Sequence, residues 1–110
     1  MIKARFINLL KSQLEDLIKL TQTKGEEYAR SDDQLANFKR QAAELGMAKE
    51  KVLGIFLNKH LDSIKGYIAD TEKPMSEPIE GRIDDAILYL VLLKAMVVEK
   101  RESDAGSPCG

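Results

Sequence analysis

The chain has 110 residues, 32% of them charged, and a formal net charge of −1 with both signs interleaved. The length allows one domain with one core, and the charge balance gives no electrostatic case for a nucleic acid or membrane-surface partner. The single cysteine, Cys109, leaves no intramolecular disulfide and no thiolate cluster for a metal. A reducing, cytoplasmic setting is the expectation.

Segments rich in Leu, Ile, Lys and Glu, with no sustained apolar–polar alternation, predict an all-α fold, a four-helix bundle-like domain over residues 1–102 with a flexible tail at 103–110. The longest apolar run, Ala86 to Leu93, falls well short of the about 20 residues that cross a bilayer.

In the first segment, from Ile2 to about Thr23, Ile7, Leu10, Leu14 and Leu17 recur at helical spacing, with Phe6, Ile18 and Leu20 widening the stripe. Gly25 interrupts this amphipathic helix without having to end it. Ser31-Asp32-Asp33 is a helix-start signal for a short second helix with Leu35, Phe38, Ala42 and Leu45 on one face, and Gly46 fits the residue just past its end. A long third helix runs from Met47 to about Ala69, with Leu53, Phe56, Leu57, Leu61, Ile64 and Ile68 on a broad face. Pro74 blocks its continuation.

The fourth segment joins the densest apolar run to the densest acidic cluster. Ser76 is placed to cap a helix that begins at about Pro78, with Glu77 and Glu80 near the positive end of its dipole. From Ala86 to Val98 the helix is apolar nearly all the way round, broken only by Tyr89 and Lys94, so burial on several sides is expected. Three other short helices cannot cover such a body, and a homodimer or higher homo-oligomer through this helix is the expected state. Arg82, Asp85 and Tyr89 fall at i, i+3 and i+7 on one side, while Asp84 turns toward Glu77 and Glu80.

Two kinds of residue suggest chemistry. Adjacent acids, Glu26-Glu27, Asp32-Asp33 and Asp84-Asp85, supply hard oxygen ligands of the kind Mg²⁺ takes alongside phosphates, although Asp32 and Asp33 are equally explained as caps and surface acids are ordinary in so charged a chain. Arg82 and Asp85 flank the start of an apolar helix, where an unpaired charge is expensive. They satisfy that constraint either by pairing with each other or with Lys59, or by binding a ligand. His60 lies beside the apolar arc of the third helix. No GxGxxG, P-loop or zinc spacing occurs, and no nucleophile–histidine–acid set is recognisable.

Four segments, KGEEYA (Lys24 to Ala29), LANFKRQA (Leu35 to Ala42), KHLDSI (Lys59 to Ile64) and SEPIEGRIDDAILYLVLLKA (Ser76 to Ala95), together resemble small phage and prophage proteins related to the nucleotide-modification-associated domain. More remotely they resemble the MazG-like all-α nucleoside triphosphate pyrophosphatases. The resemblance spans roughly residues 24 to 98, and implies an oligomeric helical protein of the host cytoplasm that handles nucleotides, with acids holding Mg²⁺ against the phosphates.

By position, Asp85 matches the aspartate of the family's ExxD helix, and Glu27 is the nearest counterpart of an earlier glutamate; these two are the expected metal ligands and catalytic residues. Lys59 and Arg82 are the expected phosphate contacts, and Lys24, Tyr28, Asn37 and His60 the remaining nucleotide contacts. The chain departs from the family pattern in three places: Arg82 stands where the ExxD glutamate would be, Leu88 where the phage proteins suggest asparagine, and the earlier ExxE is incomplete. These departures touch the acids of hydrolysis more than the residues of binding. The alternatives are a noncatalytic nucleotide-binding or sequestering module and a helical oligomerisation protein without a ligand.

Overall fold

Glycine and proline punctuate the chain where its helices end, and the helical periodicities between them are realised. A computed structural model describes residues 1–27 and 33–105, with the side chains of residues 23–27 outside the described set. It contains α1 (Lys3–Glu27), α2 (Ala36–Leu45), α3 (Lys49–Ala69) and α4 (Ile79–Ala105). No strand occurs among the described residues, and the fold is all-α. Among the described residues, no helix is long and apolar enough to cross a membrane.

The chain divides into two compact units, Met1–Gln34 and Leu35–Gly110. The first is built on α1, a single amphipathic helix of 25 residues that runs on through Gly25. Ile7, Leu10 and Leu14 of its apolar stripe are exposed.

The second unit packs α2 and α4 against α3. Leu35, Phe38, Val52, Leu53 and Met96 form its buried centre, ringed by Ala42, Met47, Phe56, Leu57, Tyr89, Leu92 and Leu93. Gly46 ends α2 as its sequence position suggested. Its φ of 64° is left-handed, a conformation that costs glycine little. The following Met47 N–H returns to the Ala42 carbonyl at 3.1 Å and satisfies the helix end. At the other end of the short connection, the Glu50 carboxyl is held below its ordinary range by a hydrogen bond from its own backbone N–H and by Lys49.

α4 begins at Ile79, one residue from the expected start at about Pro78, and Glu77 precedes it. Its end lies at Ala105, so Ser103 to Ala105 are helical rather than tail; propensity alone continues the helix through Lys100, Arg101 and Glu102 after the apolar pattern stops. Within its unit, α4 is not covered on several sides. Ala86 and Met96 are buried, but Ile83, Leu90, Val91, Val97 and Val98 are 39–53% exposed, because α2 and α3 meet only one side of it.

Candidate functional site

The packing of α3 on α4 brings polar residues from both helices to one edge of the core. On α3, Phe56 and His60 are one turn apart; on α4, Arg82, Asp85 and Tyr89 follow at spacings of three and four, so each helix presents its set on one face. The His60 ring stacks on Tyr89, with centroids 5.5 Å apart and planes 26° from parallel. Tyr89 in turn stacks on Phe56 at 6.3 Å. Phe38 of α2 meets both rings edge-on, an arrangement in which each pair adds about 0.5–1.5 kcal/mol beyond its buried area.

Charge surrounds this stack. An Arg82 Nη1 lies 3.3 Å from His60 Nδ1. A guanidinium only donates, so a hydrogen bond between the two requires Nδ1 as the acceptor, a role the imidazole offers when its proton is on Nε2. Asp85 Oδ2 lies 3.8 Å from the same nitrogen, beyond hydrogen-bond length. The other terminal nitrogen of Arg82 reaches Glu77 Oε2 at 3.4 Å. Arg82 and His60 are largely covered, at 21% and 12% side-chain exposure, while Glu77 is 65% exposed. Burial, reinforced by the nearby Asp85 carboxylate, raises the Tyr89 phenol above its ordinary value.

The fold thus unites three of the expected residues, His60, Arg82 and Asp85. Lys59 is exposed on α3. Asn37 is exposed near the start of α2, where its side-chain oxygen accepts a 2.7 Å hydrogen bond from Arg40. Lys24 and Glu27 belong to α1 with side chains outside the described residues, and Tyr28 lies outside them altogether. Two participants were not anticipated: Glu77, which had been assigned to the helix dipole, and the stack of Phe56 and Tyr89 beneath His60. The i, i+4 spacing of Phe56 and His60 was the signal for the stack.

Among the described residues, no group of three His, Cys, Asp or Glu side chains comes together to hold an ion, and the side chain of the expected ligand Glu27 lies outside them. Comparisons with protein-family models, curated proteins and solved structures find no match to the chain.

Proposed function

We propose that the chain binds a nucleotide at the α3–α4 edge, with Arg82 on phosphate oxygens and the His60–Tyr89 stack against the base or ribose. One observation carries this: a mostly covered guanidinium whose carboxylate partner among the described residues, Glu77, is exposed, precedes the helix and sits at 3.4 Å. A phosphate offers Arg82 the same geometry with more charge and two oxygens for its fork, and Glu77 is free to swing into water. His60 keeps the guanidinium aimed, and the stacked rings supply a flat apolar surface. The resemblance to nucleotide-handling phage proteins agrees with this assignment.

Hydrolysis is the second reading, favoured by the acid–imidazole pair of Asp85 and His60, which has the components to hold a water and take its proton. Thermal unfolding with a panel of nucleoside mono-, di- and triphosphates, each in Mg²⁺ and in chelator, tests the proposal. A ligand at 100 times its Kd stabilises the native state by about 2.7 kcal/mol. Triphosphates are expected to raise the melting temperature in both conditions, and less so for Arg82→Gln. No shift with any nucleotide overturns the proposal; phosphate release with stabilisation only in Mg²⁺ moves it to the hydrolase.

A further inference from the structure

Among the described residues Arg82 holds two contacts of different kinds. Its Nη1 lies 3.3 Å from His60 Nδ1, on a helix fixed by the core, whereas its Nη2 meets Glu77 Oε2 at 3.4 Å, well beyond the about 2.7–2.9 Å of a tight charge-assisted hydrogen bond. Glu77 belongs to neither helix. It stands on the connection between α3 and α4, two residues ahead of Ile79. Backbone hydrogen bonds hold that connection on either side of it, from the Lys73 N–H to the Asp70 carbonyl at 3.1 Å and from the Gly81 N–H to the Pro78 carbonyl at 3.2 Å. Between them, Met75, Ser76 and Glu77 make no backbone–backbone hydrogen bond among the described residues, and Pro74 and Pro78 have no N–H to give. The cation is set into the protein, and the carboxylate reaches it from an exposed and loosely tied stretch of chain.

From this we infer that Glu77 is a resident competitor, an autoinhibitory contact that occupies Arg82 in the empty site and leaves when an anion takes the same nitrogen. The inference rests on the assignment of phosphate to Arg82 and says what holds that site in check. An ion pair with so exposed a member is weak, so Glu77 lowers the affinity of an incoming anion about two- to fivefold rather than closing the site. The factor is common to every anion that takes Nη2, since each displaces the same carboxylate. In return, a mostly covered guanidinium keeps a counter-charge while the site is empty. Glu77→Gln therefore has two linked effects: the empty protein loses the pair, and the ligand no longer has to break it. The ligand-saturated protein, in which Glu77 is already displaced, is unchanged.

Calorimetric titration and thermal unfolding of the full chain test it, in chelator, with the adenosine, guanosine, cytidine and uridine triphosphates and with inorganic tripolyphosphate, which carries the anion without a base. Glu77→Gln should bind each probe that the wild type binds about two- to fivefold more tightly. Its empty form should melt lower than the wild type, and its saturated form at the same temperature. With Arg82→Gln already present, Glu77→Gln should change affinity by no more than about 1.5-fold. Glu80→Gln, an exposed carboxylate in the first turn of α4, serves as the control for the general field and should also stay within about 1.5-fold. Affinity unchanged or weakened in Glu77→Gln, while Arg82→Gln still weakens it, leaves the phosphate assignment standing and overturns the competitor. So does an equal gain from Glu80→Gln, or a gain that persists without Arg82. Tripolyphosphate binding that needs Arg82, with no nucleotide bound, removes the nucleotide and keeps the competitor; no binding of any probe removes both.

Discussion

The two sides of α4 are made of nearly the same kinds of residue and have opposite fates. On the inner side Tyr89, Leu92, Leu93 and Met96 pack with α2 and α3, Ala86 is buried, and the polar members Arg82 and Asp85 meet His60. On the outer side Ile83, Leu90, Val91, Val97 and Val98 remain exposed. Apolar character alone therefore does not say which side of a helix is inside. Contact with α2 and α3 is what separates the two.

Core truncation should open the widest gap between the sides. Met96 is 1% exposed, and Met96→Ala is expected to cost about 2–5 kcal/mol in urea unfolding. Leu90→Ala on the outer side should cost the unassociated chain within about 0.5 kcal/mol, the smallest effect anticipated, and equal losses at the two positions would erase the comparison. Between these extremes lies Arg82→Gln. It removes the partner of both Glu77 and His60, and is expected to lower nucleotide affinity about tenfold while costing about 1 kcal/mol of stability, since exposed Glu77 is readily resolvated.

A pH-dependent effect concerns Tyr89, whose pKa is raised by burial and by Asp85. A raised pKa means that the native state holds its proton longer than the unfolded chain. Its contribution is therefore complete below the ordinary value of 10.0 and declines as pH rises through that value toward the folded one. Alkaline unfolding should show this loss, tyrosinate absorbance should show one late-titrating phenol, and Tyr89→Phe should remove both. A Tyr89 that titrates with the other tyrosines would mean that the inner side is open to water.

Helix positions were legible because Gly46 and Pro74 punctuate strong periodicities, and because Arg82, Asp85 and Tyr89 share a face by spacing alone. The union of that face with His60 was not legible, since contact between α3 and α4 depends on which side of each helix the core selects. The contact of Glu77 with Arg82 was not legible either, since spacing within α4 does not say where a residue ahead of the helix turns. The helical run of Ser103 to Ala105 was missed because no apolar period continues past Glu99 to be detected.

His60 is the chain's only histidine, so its imidazole gives a single nuclear magnetic resonance signal at the centre of the proposed site. Titration with a nucleoside triphosphate should move that signal along a saturable curve as the phosphate draws on the guanidinium that donates to Nδ1, and Arg82→Gln should shift the curve to about tenfold higher ligand. A nucleotide that binds while the His60 signal stays in place would contradict the assignment of the α3–α4 edge.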